Sequence, residues 1–134
     1  MRIACLCGSV AVELDRRPAY LFRCNCDLCR KSGATWGYFA PSEVRVTGAT
    51  TSYRRADKPS PNCSLNFCPT CGATTHFETT PEAVARIGRA MVGVNLALAD
   101  EGELAGIELQ FPDGRNWSGE GPFAFIRPPR ILGD

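Results

Sequence analysis

The chain opens on alternation. In Ser9-Val10-Ala11-Val12-Glu13-Leu14 the larger apolar residues fall on every second position, so Val10, Val12 and Leu14 share one face of a strand. Pro18 breaks that strand, and Tyr20-Leu21-Phe22 reads as the return strand leading into Cys24. From Cys26 to Lys31 the pattern favours a short helical turn, which Gly33 ends. Thr35 to Phe39 and Val44-Arg45-Val46 predict two strands separated by Pro41-Ser42, and Gly48 marks the next turn. Ser52-Tyr53-Arg54 is a short strand, Lys58-Pro59-Ser60-Pro61-Asn62 a loop, and Leu65-Asn66-Phe67 a strand running into Cys68. Thr74-Thr75-His76-Phe77 alternates again. Later strands are expected near Val84 to Ile87, Ile107 to Leu109 and Phe123 to Ile126. Pro128-Pro129 then close the domain and leave a tail.

These elements add up to a mainly β chain of short strands joined by turns, with no repeat of fixed period. A length of 134 residues predicts one domain over residues 1–134, and a hydrophobic content of 44% is enough to give it a core. The longest apolar stretch, Ala90 to Ala99, is interrupted by Gly93 and Asn95 and is too short to span a bilayer. No apolar leader precedes Cys5, so a soluble, cytoplasmic protein is expected. With 15 basic and 14 acidic residues, the formal charge of +1 lacks the concentrated basic face that phosphate binding needs. Nucleic acid is therefore not an expected partner, and neither is a membrane.

Eight cysteines change the picture. In a reducing compartment clustered cysteines bind metal more often than they form disulfides. Cys68-Pro69-Thr70-Cys71-Gly72 has the form of a zinc knuckle, a tight turn that aims two thiolates at one point. Cys5-Leu6-Cys7-Gly8 is a shorter bite of the same kind. Two knuckles supply four thiolates, which suits a closed tetrahedral site for structural zinc. The group Cys24-Asn25-Cys26-Asp27-Leu28-Cys29 offers three thiolates, and three ligands plus an open position is the pattern of a catalytic zinc.

Arg30 and Lys31 follow Cys29; their charge would favour thiolates and attract an anionic substrate, or they are simply solvated side chains. Cys63 is the leftover, either a free half-buried thiol or a fourth ligand for the second group. The single histidine, His76, rules out triads and imidazole-rich hydrolase motifs, and it reads as a half-buried strand residue ahead of a metal ligand. A redox Cys-x-x-Cys centre would want a βαβ setting, which the pattern lacks.

The order of these motifs resembles the glutathione-dependent formaldehyde-activating enzymes, a family that includes centromere protein V-like members. The resemblance rests on Cys5-Leu6-Cys7-Gly8-Ser9-Val10, on Cys24-Asn25-Cys26-Asp27-Leu28-Cys29-Arg30-Lys31, and on Phe67-Cys68-Pro69-Thr70-Cys71-Gly72. Gly93-Val94-Asn95-Leu96 and Asp113-Gly114 through Trp117 extend it downstream. It implies a β-tent of several small coiled antiparallel sheets. It also implies a structural zinc on Cys5, Cys7, Cys68 and Cys71, and a catalytic zinc on Cys24, Cys26 and Cys29. The implied reaction condenses formaldehyde with glutathione, formally a carbon–sulfur lyase running backward. Arg30, Lys31 and Arg23 are then candidate glutathione contacts, and Asp27 a candidate proton shuttle. The family's middle motif usually reads Cys-His-Cys, and here Asn25 takes the place of the histidine. The rival reading is a non-catalytic zinc module that binds a protein partner.

Overall fold

The alternating segment around Val12 becomes the middle of a small sheet. In the computed structural model, which describes residues 1–133, strand β1 (Arg2–Ala4) pairs antiparallel with β2 (Ala11–Leu14), Ile3 opposite Val12. Strand β5 (Val44–Thr47) takes the other edge of β2, Leu14 opposite Val44. Val10, Val12 and Leu14 are all buried, as their shared face requires.

Because both edges of β2 are occupied, the expected return strand cannot pair with it. Tyr20–Phe22 (β3) instead joins a larger sheet, between Glu108–Pro112 (β10) and Trp36–Phe39 (β4). That sheet has eight strands in the order β11, β10, β3, β4, β9, β8, β7, β6. The remaining members are β6 (Thr51–Arg54), β7 (Cys63–Phe67), β8 (Thr74–Thr79), β9 (Val92–Asn95) and β11 (Phe125–Ile131). Its pairs are antiparallel except β3 with β10. The mainly β expectation is borne out, with eleven strands in two sheets among the described residues.

Three local expectations give way. Val84 to Ile87 belongs to a helix, α2 (Pro81–Ile87), not a strand. Thr80 caps it by accepting from the Ala83 N–H, Pro81 supplies a pre-set φ at its first turn, and Gly88 closes it at φ 87°. The segment from Ala90 to Ala99, to which the pattern assigned no strand, holds β9, whose four residues are all buried. Gly93 is required there, since a Cβ would overlap the Phe77 ring on β8. Pro128 and Pro129 lie inside β11 instead of closing the domain. An edge strand with register shifts opposite Leu109, Phe111 and Pro112 tolerates prolines, which have no N–H to give. Nor is the end a loose tail through residue 133, because Leu132 exchanges backbone hydrogen bonds with Gly106 and Ile107. The tail expected at Asp134 lies outside the described residues.

The sheets meet on a shared apolar layer. Ile3, Val12 and Leu14 from the small sheet pack with Leu21, Phe39, Val94 and Leu109 from the large one. A second cluster, Ala34, Trp36, Leu65 and Phe77, lies under Leu28, Cys29 and Cys63. A third consists of Cys5, Val10 and Cys68. The two smaller clusters carry the sulfur chemistry.

Candidate metal centres

Each end of the first centre is a strand-to-strand turn. The β1–β2 turn carries Cys5 and Cys7, and the β7–β8 turn carries Cys68 and Cys71. Both turns are built alike. The Cys5 N–H donates to Val10 O at 2.9 Å and the Cys68 N–H to Ala73 O at 2.9 Å. Gly8 and Gly72 both sit at φ 80°, the left-handed conformation that a side chain resists. The four sulfurs lie within 4.8 Å of one another. Cys5 and Cys7 Sγ are 3.7 Å apart, and Cys7 and Cys68 Sγ 3.6 Å.

Those separations test the fit. Four sulfurs around one zinc at about 2.3 Å would be spaced by about 3.8 Å, the edge of the tetrahedron. The measured spacing matches that edge, and all eight cysteines are free thiols. Donors already face the sulfurs: the Val10 N–H reaches Cys5 Sγ at 3.3 Å and the Cys71 N–H reaches Cys68 Sγ at 3.5 Å. Ser9 Oγ lies 2.9 Å from Cys7 Sγ and 3.3 Å from Cys68 Sγ. Its hydroxyl, then the Cys71 N–H, hold the Cys68 thiol down at about 5. This group could hold a metal ion.

The second centre sits between β3 and helix α1 (Asp27–Ser32). Cys24, Cys26 and Cys29 bring their sulfurs within 4.8 Å of one another, and among the described residues no fourth cysteine, histidine or carboxylate joins them. Cys26 is the N-cap of α1, accepting from the Cys29 N–H at 3.4 Å, and Gly33 ends the helix at φ 69°. The Cys26 N–H donates in turn to Cys24 Sγ at 3.4 Å. From below, the Trp36 indole N–H donates to Cys29 Sγ at 3.2 Å. The neighbouring Cys24 and Cys29 thiols hold the Cys26 thiol at about 2, while Cys24 and Cys26 push the Cys29 thiol well above the usual range. Three sulfurs converging this closely present a preformed seat for a cation.

The surrounding charges are arranged differently from the simplest expectation. Arg30 turns to Asp27 at 3.1 Å, and Arg115 approaches the same carboxylate at 3.5 Å. The Arg30 hydrogen bond holds the Asp27 carboxyl below its usual range. Lys31 is exposed on α1, and Arg23 reaches Thr35 Oγ1 at 3.4 Å. Asn25 bonds the Asp113 carboxylate and the Arg115 N–H. Cys63 lies outside the three-sulfur group and is half-buried; desolvation pushes its thiol up to about 12. His76 belongs to neither group: it is buried, with Nδ1 2.9 Å from Thr75 Oγ1.

A family model of the glutathione-dependent formaldehyde-activating enzyme matches residues 1–110, more than three quarters of the chain and all seven clustered cysteines. The chain belongs to this family. A crystal structure of a Rhodobacter sphaeroides protein is similar at 30% identity, with a TM-score of 0.59 over 75% of this chain and 88% of the other. No curated protein matches the chain. Family membership joins the geometry on one point, that the cysteine groups fall within the matched residues. The contacts from Asp113, Gly114 and Arg115 lie beyond them.

Ser9, Trp36 and Asp113 are the participants that spacing alone did not reveal. Ser9 is legible in hindsight as the residue after Cys-x-Cys-Gly. Trp36 carries no local signal, and Asp113, though it opens the downstream segment of the resemblance, reaches the site only through the fold.

Proposed function

We propose that the protein adds a small aldehyde, formaldehyde foremost, to glutathione or a similar thiol at the Cys24, Cys26, Cys29 centre. The net reaction forms one carbon–sulfur bond, breaks the carbonyl π bond, and moves the thiol proton to the aldehyde oxygen. Nothing is oxidised or reduced, and no further reactant is needed. It is a carbon–sulfur lyase reaction written in the direction of addition. The observation that carries this reading is the second centre itself, three converging sulfurs with no fourth protein ligand among the described residues. A zinc ion there would supply Lewis acidity and make a bound thiol acidic enough to act at neutral pH.

The chain's own residues then have distinct tasks. Cys24, Cys26 and Cys29 hold the ion, and Trp36 fixes the direction of Cys29. Arg30 and Lys31, which follow Cys29, and Arg23, which precedes Cys24, are the candidate contacts for the two carboxylates of glutathione. Asp27 serves as the anchor of Arg30 and Arg115 in preference to a proton carrier, because its two cationic neighbours keep it ionised. The Cys5, Cys7, Cys68, Cys71 centre has all four positions filled by protein and acts as a structural zinc site that ties the small sheet to the β7–β8 turn. Two zinc ions per chain follow.

The test is exchange spectroscopy. Glutathione and ¹³C-formaldehyde equilibrate slowly with the hydroxymethyl adduct, and the zinc-loaded protein is expected to broaden or cross-correlate their NMR resonances. Cys29→Ser should abolish that exchange. Exchange at the uncatalysed rate with both sites loaded would overturn the proposal. One observation favours the rival protein-binding reading, the exposed apolar residues Phe125, Ile126 and Ile131 on the edge strand β11. That reading expects no thiol-dependent exchange, so the same spectra separate the two.

A further inference from the structure

Asn25 is flanked by Cys24 and Cys26, so its backbone is set by the sulfurs on either side, yet its side chain reaches across the fold. Its amide Nδ2 donates to Asp113 Oδ1 at 2.8 Å, and its Oδ1 accepts from the Arg115 N–H at 2.9 Å. Both ends of one amide are therefore spent on a single turn, Gly114–Asn116, that follows β10. The turn is braced elsewhere too. Asn116 Nδ2 donates to Asp113 Oδ2 at 2.9 Å, the Asp113 N–H donates to Ala124 O at 2.7 Å, and Trp117 lies on Phe123 with ring centroids 4.3 Å apart. Between Asp113 and Arg115 the backbone of Gly114 rests directly on the sulfur of Cys24, where a Cβ would overlap Sγ. Glycine is needed for this close approach.

We propose that Asn25 is a positioning residue that clamps the 113–117 turn over Cys24, and that this clamp retains the metal of the second centre. The inference rests on the reading that Cys24, Cys26 and Cys29 hold a metal ion. A three-thiolate seat loses its ion by one sulfur swinging away or by water reaching a sulfur, and the turn blocks both at Cys24. It also leaves a thiol only the sides that the turn does not cover. Asn25 suits the task because one planar amide offers a donor and an acceptor to two partners at fixed spacing.

The experiment uses the full-length protein loaded with cobalt, whose thiolate charge-transfer absorbance reports each centre while a chelator removes the metal. Cys26→Ser identifies the phase that belongs to the second centre. Asn25→Ala is expected to speed that phase by about 10- to 100-fold, the usual cost of losing a partner that orients a ligand, and to leave the other phase unchanged. Asn25→Asp sets two carboxylates face to face and should release at least as fast. Adding Asp113→Asn reverses the direction of the bond and should return release toward the rate of the unaltered protein. Gly114→Ala, which pushes the turn off Cys24, should resemble Asn25→Ala. An unchanged second phase in Asn25→Ala would overturn the clamp while leaving the metal centre standing. Equal acceleration of both phases, or no recovery in the double variant, would also overturn it, since general loosening would then explain the loss. A single cobalt per chain in the unaltered protein would remove the second centre itself, and the clamp with it.

Discussion

Ser9, exposed beside two sulfurs, and His76, buried in the large sheet, show two different uses of a polar side chain. Ser9 Oγ is 2.9 Å from Cys7 Sγ and 3.3 Å from Cys68 Sγ, so one hydroxyl serves sulfurs from both turns. Donors of this kind would spread the negative charge of four thiolates gathered around a bound ion. Ser9→Ala should therefore raise the chelator release rate of the first centre by about 10-fold or more, with the second unaffected. Equal rates in metal-release traces of the two proteins would contradict this. His76 is buried, and desolvation lowers its pKa below the ordinary 6.5. The unfolded chain therefore takes a proton near 6.5 that the folded chain refuses until lower pH. Its contribution to stability is intact above 6.5 and declines as pH falls from there toward the folded value. Between pH about 7.5 and about 5.5, the drop in melting temperature should be larger for the unaltered protein than for His76→Gln. Equal drops would show that burial of this imidazole carries no proton linkage. The sequence made His76 a strand residue correctly, yet it could not tell half-buried from buried, since that depends on β9 packing beside β8.

Elements were legible where local chemistry decides them and obscure where packing does. Val10, Val12 and Leu14 declare β2 by period alone, and Cys26 to Lys31 with Gly33 declare α1 by its cap. Helix α2 also carries its signals, Thr80-Pro81 at the start and Gly88 at the end, and the apolar residues Val84 and Ile87 masked them. Strand β9 was hidden for a different reason. Gly93 looks like an interruption until the Phe77 ring is seen lying across it. Gly93→Ala should accordingly overpack this contact and destabilise the protein by about 1–3 kcal/mol, read as a shift of the denaturant midpoint. A midpoint within experimental error of the unaltered protein would mean that Phe77 can move aside freely. The parallel pairing of β3 with β10 joins segments more than 80 residues apart, and no local pattern encodes it.

At the scale of the whole molecule, the seven clustered cysteines were visible in sequence as three groups, and the fold joins them into two centres. What sequence could not supply is the covering of the second centre: Trp36 from below, and the Asp113 to Arg115 turn from the far end of the chain. The division of labour between the centres gives its own prediction. Cys68→Ser removes a fully buried sulfur of the β7–β8 turn that lies 3.6 Å from Cys7 Sγ of the other turn, and should lower the melting temperature and the folded yield. Cys26→Ser should leave a folded protein that holds one zinc in native mass spectrometry. Equal stability and equal zinc content in the two variants would contradict separate structural and open centres. The central claim is that the open position of the second centre takes a thiol, and calorimetry tests it most directly. Zinc-loaded protein should bind glutathione and should bind S-methylglutathione far more weakly, although the two ligands carry the same carboxylates and ammonium. Equal affinity for both would mean that the sulfur is not what the centre binds, and the aldehyde-addition account would fail with it.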